Sequence, residues 1–226
     1  MKKFFILFFI LFFSLTAFTQ KDVTKFLGIP VDGTKSEMIE KLKAKGFKPT
    51  LSNKDVLKGE FNGYDVYVEP VTNGNKVYRI FVEDANPVSE SDIKIRFNKL
   101  CRQFEKNDKY TSFGDYIIPE DEDISTQMDI YKKRFQASFY QKPEMIDTVL
   151  IYNLMDEKMG NLYTPEQLEN PTEEVKQKIN EVAEQIVFDI MRVKTVWFMI
   201  SKEGYNKYSI VMFYDNEYNH ADGEDL

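Results

Sequence analysis

The sequence predicts an α+β protein in which helices pack on one face of an antiparallel β-meander sheet, laid out as a helix-then-meander unit. Three observations carry this reading. Capped segments place apolar residues three and four apart. Between them run stretches in which apolar and polar residues alternate, punctuated by Asn-Gly. The two kinds of segment come in blocks, not as the strand-helix-strand repeat of a parallel sheet.

Thr34-Lys35-Ser36-Glu37 has the form of a capping box, and Met38, Ile39 and Leu42 then fall on one helical face. Gly46 followed by Phe47 predicts a Schellman stop. Residues 57–61, 64–71 and 77–83 are rich in Val, Tyr and Phe and read as strands. Asn62-Gly63 and Asn73-Gly74 supply the positive φ that tight hairpins between them require. On the second strand Tyr64, Val66 and Val68 alternate with Asp65, Tyr67 and Glu69, so one face is buried and the meander is antiparallel.

Pro87 ends that pattern, and Ser89 caps a second helix running to about Asn107 with a stripe of Ile93, Phe97, Leu100, Cys101 and Phe104. Residues 111–126 are acidic and loop-like. Strands are expected at 134–141 and 148–154. Asn170, Pro171 and Glu173 read as the N-cap, N1 and N3 of the longest helix, whose apolar face is Val175, Ile179, Val182, Ile186 and Ile190. Strands at 195–201 and 208–214 close the chain, and the polar tail from Asn216 to Leu226 reads as mobile.

The first 20 residues, MKKFFILFFILFFSLTAFTQ, have the order of an export signal: Lys2 and Lys3, an unbroken apolar run from Phe4 to Phe13, and a small-x-small site at Ala17-Phe18-Thr19. The apolar core is about half the roughly 20 residues a membrane span needs. The domain expectation is therefore a signal peptide at 1–19 and a single domain at 20–226, with 111–126 as the only place for a sub-division. Stable membrane insertion after cleavage is not expected. The destination is the periplasm, the cell surface or the medium.

Cleavage removes two lysines, taking the formal charge from −7 to −9 and the length from 226 to 207 residues. That acidity argues against nucleic acid and anionic membranes, which are bound through neutralising Lys and Arg. One cysteine, Cys101, excludes an internal disulfide, and with one histidine, His220, zinc sites of several His or Cys ligands are excluded within a chain. Cys101 reads as an inert buried thiol.

Phe26-Leu27-Gly28-Ile29-Pro30-Val31 with Gly33, the helix ending Leu42-Lys43-Ala44-Lys45-Gly46-Phe47, and Leu57-Lys58-Gly59-Glu60-Phe61-Asn62-Gly63-Tyr64 together resemble a recurrent pattern of uncharacterised exported α+β proteins of Bacteroides-type gut bacteria. The likeness continues through Asn75-Lys76-Val77-Tyr78-Arg79-Ile80. It covers about half the chain, mostly residues 26–104, and departs from the pattern at 111–172. The helix-then-meander unit also looks like the building block of β-lactamase-inhibitor-protein-like folds. The resemblance implies export and architecture; it transfers no catalytic residue and no cofactor.

Phosphate-binding, dinucleotide-binding and G-x-S-x-G patterns are absent from the sequence, and Gly28 to Gly33 reads as a turn into the first helix. No metal site is expected. The acidic run Glu120 to Asp123 and the tail acids read as solvated charge, because the Gly that a calcium loop needs at its sixth position is His220 when counted from Asp215. Asp65 and Glu69 share a solvent face, and none of the 37 acids is singled out as a hydrolase pair. Tyr67 and Phe81 are the candidate binding residues, since alternation turns both away from the buried face. The expected function is an exported, non-enzymatic binding module for protein or glycan. The alternatives are an exported carboxylate-dependent hydrolase and a structural or envelope-assembly protein.

Overall fold

A computed structural model of the chain describes residues 21–145 and 147–220. The segment read as an export signal lies outside the described residues, as does the end of the tail.

A short hairpin opens the fold: β1 (Lys25–Phe26) pairs with β2 (Ile29–Pro30) across a turn in which Leu27 and Gly28 both take positive φ. Helix α1 (Lys35–Ala44) follows, and its capping box is formed in both directions between Thr34 and Glu37. The Gly46 amide bonds the Lys43 carbonyl and the Phe47 amide that of Leu42, which is the Schellman pairing, with Gly46 at φ +99°. Then come β3 (Lys48–Pro49) and the meander β4 (Leu57–Phe61), β5 (Tyr64–Asn73) and β6 (Lys76–Asp84). Asn62-Gly63 makes the first hairpin turn as expected. The second is Gly74-Asn75, one residue later than Asn73-Gly74, because Asn73 still pairs with Lys76.

Helix α2 (Glu90–Glu105) is capped by Ser89, and its whole predicted stripe is buried. A second set of strands follows: β7 (Tyr110–Thr111), β8 (Gln136–Gln141), β9 (Thr195–Gly204) and β10 (Lys207–Asp215). The eight strands form one antiparallel sheet in the order β3-β4-β5-β6-β10-β9-β8-β7. Two meanders therefore meet edge to edge at the β6–β10 pair. Met38 and Leu42 of α1, the stripe of α2 and one face of both meanders share a single core. The fold is α+β, with α1 and α2 on that face.

Three further sequence expectations are corrected. Residues 148–154 are not a strand but the start of helix α4 (Thr148–Gly160), following the short α3 (Ile124–Asp129). Short apolar runs suit either structure; here Asp147 caps the Leu150 amide, and α4 packs against the longest helix. That helix, α6 (Glu173–Arg192), begins two residues later than predicted, with Thr172 as its cap, because Asn170 closes α5 (Pro165–Glu169) instead. Residues 111–126 are not all loop, since α3 starts within them and Ile118 and Ile124 enter the core.

The tail is pinned at its start. Asn216 is fully buried with its amide on the Val31 carbonyl, and a 3-10 turn (Glu217–Asn219) sets the Asn219 amide on Asp32 and Val77.

A buried ion pair sits where the meanders join. Arg96 of α2 clamps both carboxylate oxygens of Asp84, which also accepts from the Ile210 amide. The guanidinium lies 3.4 Å from the Tyr64 ring centre. Among the described residues, no helix is long and apolar enough to cross a membrane.

Candidate functional site

The face of the sheet opposite α1 and α2 carries an ordered set of side chains fixed by strand register. One row across it reads Glu69, Phe81, Phe213, Trp197 and Ser138, on β5, β6, β10, β9 and β8. The adjacent row reads Tyr67, Glu83, Val211, Met199 and Gln136. Phe81 and Phe213 are 5.5 Å apart, and Phe213 stacks on Trp197 at 4.0 Å and 18°. Tyr67, Phe81, Phe213 and Trp197 are all half-buried: each packs against neighbours and still reaches solvent.

A charged brace holds this row. Arg79 donates from Nε and Nη2 to Asp215 at 2.6 and 2.8 Å, and the Trp197 indole N–H donates to the same carboxylate at 2.8 Å. The guanidinium lies 4.8 Å from the Phe213 centroid. Burial opposes the Arg79 charge, but the hydrogen bonds and charge of Asp215 outweigh it and hold its pKa above the ordinary guanidinium value. The Trp197 ring is thereby fixed in orientation.

At the β8 end, α6 and the loop before α3 close over the face through Phe188, Phe113 and Tyr140, with ring centres 5.4 to 5.8 Å apart. At the other end, the loop between β3 and β4 rises beside the strands. Thr50 accepts from the Asn53 amide, Asn53 from that of Asp55, and the Thr50 amide reaches the Val56 carbonyl, so this wall is a set of locked turns. Between wall and sheet lies a groove of about 310 Å³, lined by Tyr67 and Phe81 together with Glu69 and Glu83. Burial, and then the charges of Glu203 and Asp84, raise the Glu83 pKa above the ordinary carboxylate value.

The two residues expected from sequence thus share one groove. Trp197, Phe213, Arg79 and Asp215 were missed. Alternation in 195–201 marks Trp197 as facing away from Val196 and Phe198, but nothing local shows that β10 sets it beside Phe81.

The other motifs are absorbed into structure. Asp65 is exposed and pairs with Lys58 at 3.4 Å, separate from Glu69 in the groove. The carbonyls of Glu120 and Glu122 accept from Lys94, and Asp123 caps α3. Cys101 is fully buried, and burial followed by the Glu105 charge pushes its thiol up to about 12. His220 stands edge-on to Tyr78 at 5.0 Å. Among the described residues, no group of three or more His, Cys, Asp or Glu could hold a metal ion.

No family model matches the chain, and no curated protein or solved structure is significantly similar to it.

Proposed function

We propose that the chain is an exported, non-enzymatic binding module that takes a protein or glycan on the aromatic face of its sheet. The observation that carries this reading is the row Phe81–Phe213–Trp197, its rings in contact, half-exposed and braced by Arg79 and Asp215. Rings already held in place lose little conformational entropy on binding, and aromatic residues are enriched at recognition surfaces. Export rests on the order of residues 1–20, and the resemblance over 26–104 to exported α+β proteins supports it.

The test uses the Tyr67→Ser, Phe81→Ser double variant. Each ring is half-buried, so each loss costs about 1 kcal/mol of stability, and the variant stays folded. Glycan arrays and capture from envelope extracts, run on both proteins, should show partner binding at least tenfold weaker in the variant. Equal binding by the two proteins ends the proposal.

A second reading, assembly with a neighbouring chain, is favoured by one observation. Val149, Leu150 and Tyr152 on α4 are 66%, 45% and 75% exposed, an apolar strip that helical packing leaves open. Analytical ultracentrifugation showing a monomer at all accessible concentrations would remove self-assembly through that strip.

A further inference from the structure

A second concavity lies on the helix-covered side, away from the aromatic row. It is a crevice of about 1070 Å³ between the Leu27–Gly28 turn, the C-terminal half of α2 and the ends of β7 and β8. Its inner surface is apolar, formed by Phe61, Leu100 and Phe104 with the ring of Tyr214. This volume suits a small ligand.

Tyr214 is 4% exposed, and its hydroxyl makes no hydrogen bond among the described residues. Buried polar groups in folded proteins are nearly always partnered. Among the described residues every side-chain nitrogen or oxygen wholly shut off from solvent does have a partner. The Tyr214 hydroxyl is therefore not sealed in the core but borders the crevice its ring lines. Nearby Tyr110 accepts from the Gln141 amide at 3.0 Å, which leaves its own proton to give. Burial raises the pKa of both phenols, with Tyr110 adding to the effect on Tyr214, so both are donors at neutral pH.

The mouth is basic within an acidic protein. Of its four lysines, Lys25 is neutralised by Glu144 and Lys194 by Asp22. Lys109 and Lys142 make no ion pair among the described residues, and Asp108 is the one carboxylate left in the lining. The two lysines face each other one residue past the end of the β7–β8 ladder, where the Lys142 amide bonds the Lys109 carbonyl at 2.9 Å. Like charges set side by side across strands are destabilising, and an anion between them removes that cost.

We propose that this crevice binds a free, small organic anion with an apolar body, the body against Phe61, Leu100 and Phe104, an oxygen accepting from Tyr214, and the charge beside Lys109 and Lys142. The proposal is independent of the aromatic face. It is tested by calorimetric titration of the mature chain with dodecanoate below its micelle concentration, with dodecyltrimethylammonium as the charge-reversed control. Dodecanoate should bind saturably, one per chain, and the cation at least tenfold more weakly. Tyr214→Phe removes one unshared hydroxyl; it should weaken dodecanoate about three- to tenfold while the Tm stays level or rises. The Lys109→Gln, Lys142→Gln variant, altered at two exposed positions, should weaken binding as well and flatten its salt dependence; it carries the test should Tyr214→Phe fail to fold. Absence of saturable binding, equal binding of the cation, or unchanged affinity in the folded variants would overturn the proposal.

Discussion

Replacing Arg79 by Met tests whether the Arg79–Asp215–Trp197 arrangement is a brace. Methionine keeps an alkyl stem of similar length over the Phe213 ring and removes the charge and both donated hydrogen bonds. The Asp215 side chain is 5% exposed and that of Arg79 is 23%. Stripping a fully buried carboxylate of its cation costs about 3–5 kcal/mol. Here the guanidinium is partly solvated and the Trp197 N–H remains on Asp215, so the expected loss is about 2–3 kcal/mol. For a chain of this size that is a fall in Tm of roughly 4–12 °C. In the Arg79→Met, Asp215→Asn double variant the stranded charge is gone and the amide oxygen still accepts from Trp197. It should therefore recover at least about 1 kcal/mol relative to the sum of the single changes. Denaturant unfolding provides the free energies, and the emission of Trp197, the one tryptophan in the sequence, reports its surroundings directly. A single variant within about 0.5 kcal/mol of wild type, or strict additivity of the two changes, would show that Arg79 is a free surface group and that the aromatic row holds itself.

Two further outcomes are expected. Glu83→Gln tests the raised carboxyl: a folded pKa above 4.5 means that Glu83 favours the folded state most below that value and progressively less as pH rises. The glutamine variant should therefore be at least as stable as wild type at pH 7, with the gap closing towards pH 4; a variant less stable at pH 7 contradicts this. N-terminal sequencing of the protein recovered from a secreting host should begin at Gln20, and recovery of an intact Met1 would remove the export reading.

Local chemistry wrote much of the fold into the sequence. The capping box at Thr34 and Glu37, the Schellman stop at Gly46, the stripe of α2 and the alternation in β5 each depend on neighbours within a few residues, and each has the predicted form. Local signals failed where two structures compete on equal terms. The apolar run from Thr148 satisfies strand and helix alike until α6 provides a surface for α4 to pack on. Asn170 and Thr172 are both sound caps, and the presence of α5 assigns Asn170 to its end.

The candidate site was half legible for the same reason. Alternation alone sets Tyr67 and Phe81 on one face. Pairing of β6 with β10 is a long-range event with no local signature, and it alone places Phe213, Trp197 and Asp215 against Phe81 and Arg79. The crevice at Tyr214 is further from the sequence still, because a void and an unshared hydroxyl exist only when separate elements have packed around them. Side-chain direction and local hydrogen bonding are properties of neighbours in the chain; which distant surfaces meet is decided by the packing of the whole core.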